Sequence, residues 1–145
     1  MDAGTSRLLE TSNRFKTEYN SALASEIIAN YKLAIMTIET TVVGKVHIIK
    51  LVGRLDTVST DILNVAWERC VGGGARYVVL DLGELQFISS AGLGSIVMLS
   101  KSLKGLGGSL SLCGVRGMVK EVFQVTGLLA IFKIFDSSEA ACQSI

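Results

Sequence analysis

The sequence has few of the residues on which metal sites, disulfide frameworks and catalytic triads depend. Its 145 residues include one histidine, three cysteines and no proline. The cysteines, Cys70, Cys113 and Cys142, are odd in number and widely spaced, and no two form a C-x-x-C pair. This pattern argues against a disulfide framework and a zinc site, so we expect no metal and a reduced, cytoplasmic protein. The absence of proline carries no functional information.

A strong net charge and long apolar runs are also absent. With 14 basic and 13 acidic residues the net charge is +1, which gives no electrostatic reason to expect direct nucleic-acid binding. No apolar run reaches the roughly 18 residues of a spanning helix, and the amino terminus lacks the pattern of a secretory signal. We therefore expect no membrane insertion. A hydrophobic fraction of 49% over this length predicts one ordinary core with an extension.

An enzyme would need reactive groups that this sequence does not bring together. His47, the one histidine, stands in a predicted strand, and no G-x-S-x-G motif accompanies it. Gly92 and Gly94 begin a pattern similar to a dinucleotide fingerprint, but Val97 occupies the third glycine position and the sequence has no P-loop. We predict no enzyme activity and no cofactor, with nucleotide binding as a weak alternative.

Hydrophobic periodicity places the pair Ser89-Ser90 between a strand and a helix. Residues 77–80 form a continuous apolar run typical of a buried strand, and a connection of mixed composition over 81–88 follows. From Leu93 onward the apolar residues recur at helical spacing. The first N–H groups of a helix have no partner within it and carry partial positive charge. A serine there either caps the helix or accepts a phosphate, and the spacing leaves both interpretations open.

Three runs of the sequence resemble a known family. They read V-V-L-D-L-G-E-L-Q-F-I-S-S-A-G-L-G-S-I from position 78, G-G-S-L-S-L-C-G-V from 107 and V-F-Q-V-T-G-L-L-A-I-F-K-I-F from 122. Together they resemble the STAS domain, and specifically the bacterial anti-sigma-factor antagonists, over about residues 36–141. The resemblance implies that Ser90 is the phosphoacceptor. Many members carry an aspartate just before that serine, where this chain has Ser89.

The resemblance also implies a protein partner and a surface that binds it. The partner is an anti-sigma factor that is also a serine protein kinase using ATP. The unphosphorylated protein, a monomer or weak dimer, binds this partner and frees a sigma factor, and phosphorylation blocks binding. The implied partner-binding residues are Asp56, Thr57, Ser89, Ala91, Gly92, Leu93 and Gly94. The alternative function is a non-switching STAS module, either a scaffold or the cytoplasmic partner of a transporter.

The residues before the central stretch predict a hairpin and then a helix. Strands over 37–43 and 46–52 join at Gly44-Lys45, and a loop over 53–57 leads to a helix that stops at glycines 72–74. Thr57 and Ser59 are candidate N-caps of this helix. Asp56 has a simple alternative role as a carboxylate that offsets the helix dipole.

The residues after the central stretch complete the predicted α/β fold. A strand over 109–113, a helix over 115–126 and a strand over 129–135 precede a short helix that begins in a capping box of Asp136 and Glu139. The order β-β-α-β-α-β-α-β-α predicts a mixed sheet of about five strands with four helices, in one STAS-like domain over 36–145. Residues 1–35 form an N-terminal extension. A helix over about 13–33 that docks on the domain or a second copy, and a partly ordered leader, are its two interpretations.

Overall fold

The computed structural model describes residues 36–145, which form one mixed sheet and four helices. The extension over 1–35 and the helix predicted within it lie outside the described residues. The elements in chain order are β1 (Met36–Val43), β2 (Val46–Leu55), α1 (Thr57–Gly72), β3 (Tyr77–Ile88), α2 (Ser90–Gly105), β4 (Ser109–Cys113), α3 (Gly117–Val125), a 3-10 turn (Leu128–Ala130), β5 (Lys133–Phe135) and α4 (Ser138–Gln143). The predicted order of strands and helices is confirmed.

The five strands of this region lie side by side in chain order. β1 and β2 are antiparallel, joined at Gly44, whose φ of 60° suits a tight turn that only glycine adopts without strain. The pairs β2–β3, β3–β4 and β4–β5 are parallel, with α1, α2 and α3 as their crossover helices. The carboxyl ends of β2 and β3 therefore meet at the same edge of the sheet.

The core is divided between the two faces of the sheet. Alternate residues of a strand point to opposite faces, and in β3 Val78 and Leu80 belong to the larger core while Val79 belongs to the smaller. The larger core includes side chains of α1, α2 and α3, whereas α4 covers the smaller core through Ala141. Three helices on one face leave the start of each helix near a strand end.

The prediction that β3 ends at Leu80 is wrong, because the strand continues to Ile88. The loop predicted over 53–57 is also wrong in part, since β2 continues to Leu55 and pairs with this added length of β3. Register shifts occur between Lys50 and Val52 and between Gly53 and Arg54. These irregularities break the period-two alternation by which a strand is recognised from sequence.

The end of the domain also departs from the prediction. β5 has three residues, Lys133–Phe135, and the preceding apolar residues form a 3-10 turn after Gly127, whose φ is 76°. Leu129 and Phe132 pack against the larger core without pairing with another strand. Their apolar side chains led to the prediction of a longer strand over 129–135. The helix α4 starts one residue later than predicted, because Ser137 caps it by accepting from the N–H of Ala140 at 3.1 Å. Asp136 and Glu139 do not form its capping box.

Candidate functional site

Two helix starts lie together at the carboxyl edge of the sheet. β2 ends at Leu55 and is followed by Asp56, while β3 ends at Ile88 and is followed by Ser89. Leu55 and Ile88 are opposite each other in the parallel ladder, so the residues after them leave the sheet side by side. We call the surface formed by Asp56, Thr57 and residues 89–94 the strand-end site. It gathers all of the partner-binding residues that the sequence predicts.

The two adjacent serines of this site have different roles. Ser89 is the N-cap of α2, with φ −91° and ψ 169°, and its Oγ accepts from the N–H of Gly92 at 3.2 Å. Ser90 is the first helical residue and its side chain is exposed. The Ser90 hydroxyl makes no hydrogen bond with any residue of the part that the structure describes. Ser89 thus caps the helix, whereas Ser90 presents an accessible hydroxyl.

Asp56 is the N-cap of α1, which corrects the prediction that Thr57 or Ser59 has this role. Its carboxylate accepts from the N–H of Ser59 at 2.9 Å, and its own N–H donates to Ser59 Oγ at 2.8 Å. These two bonds form a capping box with serine in the position usually held by Glu or Gln. The hydrogen bond from the Ser59 backbone is the main cause that lowers the pKa of Asp56, and the charge of Arg54 adds to it. Asp56 is therefore ionised at neutral pH.

Gly92 and Leu93 are buried, so they form the inner side of the site, where α2 packs on the domain. A Cβ on Gly92 would lie 2.7 Å from Cγ of Leu55 and 3.1 Å from Cγ1 of Ile88, so glycine allows α2 to approach the ends of both strands. Gly94 is exposed, and a Cβ there would meet nothing within 4 Å among the described residues. Ala91 and Thr57 are exposed as well. The outer surface of the site is thus made of small side chains and bare backbone.

A buried polar network fixes α1 against α2. The indole N–H of Trp67 donates to Ser95 Oγ at 3.1 Å and to Asn64 Oδ1 at 3.2 Å, and the Ser95 hydroxyl also donates to Asn64 Oδ1. Ser95 and Trp67 are both buried. Buried donors that find partners hold their elements in one relative position. The network therefore fixes the two helices whose starts form the strand-end site.

Several exposed residues beside the site were not singled out by the sequence. Arg54 lies opposite Phe87 in the ladder, and its guanidinium stands 4.3 Å from the centre of the phenyl ring. Val58 on α1 and Met98 on α2 are 53% and 59% exposed. Met98 lies eight residues after Ser90, about 12 Å along α2 and roughly 80° around it, so helical spacing gives no signal that links it to the site. The pairing of Arg54 with Phe87 depends on the shifted register and has no such signal either.

His47 lies far from the strand-end site, and the thiol of Cys113 is unreactive. His47 is the second residue of β2, so it stands about 26 Å from the strand-end site. Its Nδ1 is buried without a hydrogen-bond partner among residues 36–145. Cys113 is buried, and burial is the main cause that raises its pKa to about 12, so its thiol is protonated at neutral pH. In this same region the three cysteines form no disulfide, and the acidic, histidine and cysteine side chains form no group suited to a metal ion.

None of the helices that the structure describes is long and apolar enough to cross a membrane.

Comparison with known proteins gives concordant matches of sequence and structure. The family model described as the STAS domain matches residues 37–141. BtrV of Bordetella bronchiseptica, named as an anti-sigma factor antagonist, is 41% identical over 91 residues, which cover 63% of this chain and 78% of BtrV. The anti-sigma F factor antagonist of Paenibacillus polymyxa is 31% identical over 93 residues, covering 63% of this chain and 80% of that protein. The crystal structure of a Thermotoga maritima protein described as an anti-sigma factor antagonist gives a TM-score of 0.71 at 25% identity, covering 74% and 93% of the two chains.

Proposed function

The chain belongs to the STAS domain family, among the anti-sigma factor antagonists, and we propose that it is a phosphorylation-controlled partner switch. In this proposal the unphosphorylated protein binds an anti-sigma factor through the strand-end site and so releases a sigma factor. The anti-sigma factor is also a serine kinase, and it ends its own capture by phosphorylating Ser90. The proposed setting is the bacterial cytoplasm.

The observation that carries the proposal is the position of the Ser90 side chain. It is exposed at the first position of α2, and its hydroxyl is not engaged by any residue of the described region. A kinase can reach such a hydroxyl without unfolding the helix. The unpaired N–H groups and partial positive charge at a helix start favour a phosphate there, so the modified domain keeps its fold.

The phosphoryl transfer uses a co-substrate that the kinase brings. The Ser90 Oγ forms a bond to the γ-phosphorus of ATP, the bond from that phosphorus to the bridging oxygen breaks, and ADP leaves. The hydroxyl proton passes to a base of the kinase. Ser90 is thus a substrate, and we propose that this chain is not itself an enzyme.

Phosphorylation would act by charge, without a large change of shape. The phosphate adds about −1.5 to −2 charges to a surface otherwise built of small residues, and these charges would be desolvated against the partner. A penalty of about 3 kcal/mol lowers affinity roughly a hundredfold, which is sufficient for a switch. The exposed positions Thr57, Ala91 and Gly94 leave room for close approach of the partner before modification.

The test is phosphorylation and binding with the purified anti-sigma factor from the organism that encodes this chain. We expect ATP and that protein to place one phosphate on Ser90, located by mass spectrometry, and Ser90→Ala to abolish it. Ser102→Ala, which removes a half-buried serine hydroxyl from the same helix outside the site, is the matched control and keeps the modification. Calorimetry should show tight binding by Ser90→Ala and about a hundredfold weaker binding by Ser90→Asp.

Two results would contradict the proposal. Phosphate that remains after Ser90→Ala would refute the assignment of the acceptor. Equal binding by Ser90→Asp and wild type would refute control by charge and would favour the alternative function, a non-switching STAS module that serves as a scaffold or transporter partner.

A further inference from the structure

Arg54 and Phe87 form a stacked pair at the edge of the sheet that carries the strand-end site. They are opposite each other in the β2–β3 ladder, one step before the pair Leu55 and Ile88. The Arg54 guanidinium lies 4.3 Å from the centre of the Phe87 ring, and Arg54 is exposed while Phe87 is half-buried. Stacking on an aromatic face holds a guanidinium in place by a cation–π interaction. The charge of Arg54 therefore has a defined position beside the site.

Among residues 36–145, Arg54 forms no ion pair. The salt bridge of this region joins Lys50 to Glu84. Asp56 is the nearest candidate by sequence, and the charge of Arg54 does help to lower its pKa. However, the Asp56 carboxylate is held by Ser59 in the helix cap. The backbone carbonyl of Arg54 also accepts from Ser59 Oγ at 2.8 Å, which fixes the backbone that carries the guanidinium.

A stacked guanidinium has a defined chemical preference. A guanidinium held over a ring keeps its N–H donors, and their planar fork matches the two oxygens of a carboxylate. Because stacking has already restricted the side chain, forming these bonds costs less conformational entropy than it would for a free arginine. Arginine held in this way is also among the residue types that dominate binding energy at protein interfaces.

We propose that Arg54, positioned by Phe87, binds a carboxylate on the anti-sigma factor and is a specificity-determining residue of the strand-end site. This role rests on the proposed function. Arg54 stands two residues before Asp56, whose carboxylate its charge already influences, so the partner carboxylate would belong to the same interface as the strand-end site. A phosphate on Ser90 would add a like charge to that interface and oppose the acidic group that Arg54 attracts.

In this proposal the two charges affect binding of the partner with opposite signs. Before phosphorylation, Arg54 favours a partner with an acidic residue at this position and rejects one with a basic residue. After phosphorylation, the dianion opposes that acidic residue. Since the contact is charged and lies at a rim, its contribution falls as salt increases and the Debye length shortens to about 8 Å near 0.15 M.

The experiment is calorimetry of the full chain with the purified anti-sigma factor at low and at physiological salt. Arg54→Gln should bind about 10- to 100-fold more weakly and with a shallower salt dependence. Arg54→Lys should bind more tightly than Arg54→Gln but more weakly than wild type. A lysine ammonium keeps the charge, but it cannot form two parallel hydrogen bonds to a carboxylate or stack on the Phe87 ring as a guanidinium does. Phe87→Leu should weaken binding less than Arg54→Gln, since it removes the stacking and keeps the charge.

The matched control is Arg69→Gln, which removes one exposed positive charge from the last turn of α1, at the far end from the site. It should bind within about twofold of wild type. Unfolding of each variant, followed by fluorescence of Trp67, shows whether a loss of binding reflects a loss of fold.

Each other outcome is decisive. Arg54→Gln that binds as tightly as wild type, or no more weakly than Arg69→Gln, overturns the role of Arg54 and leaves the proposed function intact. An effect of Arg54→Gln confined to the Ser90-phosphorylated protein also overturns it, because Arg54 would then hold the phosphate. If wild type binds no anti-sigma factor, the proposed function fails, and the role of Arg54 fails with it.

Discussion

The backbone N–H of Ser89 donates to the carbonyl oxygen of Leu55 at 2.8 Å, which joins the start of α2 to the end of β2. The next residue on the β2 side is Asp56, the cap of α1. One hydrogen bond thus connects the two helix starts of the strand-end site. The Ser90 hydroxyl is consequently presented from a fixed backbone, and its accessibility does not depend on the motion of a loop.

Substitution of the two serines should separate stability from modification. Ser89→Ala removes the acceptor for the Gly92 N–H, and we expect a loss of about 1 kcal/mol in the free energy of unfolding. Ser90→Ala removes an exposed hydroxyl and should change this free energy by less than about 0.5 kcal/mol. Urea unfolding followed by Trp67 fluorescence measures both. A larger loss from Ser90→Ala than from Ser89→Ala would show that the cap has been assigned to the wrong serine.

The two glycines near the start of α2, Gly92 and Gly94, should respond to alanine in opposite directions. Gly92→Ala places a methyl group against Leu55, a fully buried residue, and overpacking there should cost about 1–3 kcal/mol. Gly94→Ala has open space and restricts the unfolded chain, so it should stabilise the helix by about 0.5–1 kcal/mol. Thermal unfolding by circular dichroism compares the pair. If Gly94 contacts the partner as the sequence predicts, Gly94→Ala should weaken binding in spite of its higher stability.

The stability supplied by the Asp56 carboxylate should depend on pH. The hydrogen bond from the Ser59 backbone lowers the pKa of Asp56 in the folded state, so the ionised form stabilises the fold above the pKa of unfolded aspartate, about 3.9. This contribution is lost as the pH falls from about 4 through the lowered pKa. Asp56→Asn keeps a capping oxygen but removes the charge.

We expect wild type to be more stable than Asp56→Asn by about 0.3–1 kcal/mol at pH 7, with the difference closing in acid. Urea unfolding at several pH values measures it. A difference that stays constant down to pH values well below 3.9 would contradict the lowered pKa of Asp56.

Loss of the Ser95 hydroxyl should loosen the contact between α1 and α2. Ser95→Ala leaves the buried Trp67 N–H with Asn64 as its remaining acceptor, and we expect a loss of about 1–3 kcal/mol in stability. Circular dichroism is the suitable measurement, because the change also alters the surroundings of Trp67. Ser102→Ala is the control, since Ser102 lies on the same helix and is only half-buried. Equal losses from both variants would mean that the network contributes nothing beyond an ordinary serine.

Residue patterns predicted the parts of the fold in which one period holds throughout an element. The hairpin of β1 and β2 follows from β-branched residues around Gly44, and β4 was placed at Ser109–Cys113 because its alternation is regular. The extension of β3 to Ile88 could not be found in this way. Two register shifts space its core residues Leu82, Leu85 and Ile88 three apart, which is not a strand period.

The residues of the strand-end site were predicted by resemblance, whereas the hydrogen bonds and contacts among them were not. Which of Ser89 and Ser90 caps α2 depends on backbone angles, and sequence spacing left it open. The capping box at Asp56 follows the pattern D-x-x-S, in which Ser59 stands where Glu or Gln is usual, so it differs from the common sequence signature. The stacking of Arg54 on Phe87 depends on a ladder register that no local pattern encodes. That Ser90 accepts phosphate and that the site contacts a partner remain predictions.

The division of tasks between Ser89 and Ser90 has an evolutionary consequence. Since the residue that closes the helix and the residue that faces water are different, a lineage can gain or lose the reactive hydroxyl by one codon change while the domain folds as before. Under the proposed function, permanently active and permanently silent versions of this scaffold would be a single substitution away from the regulated one.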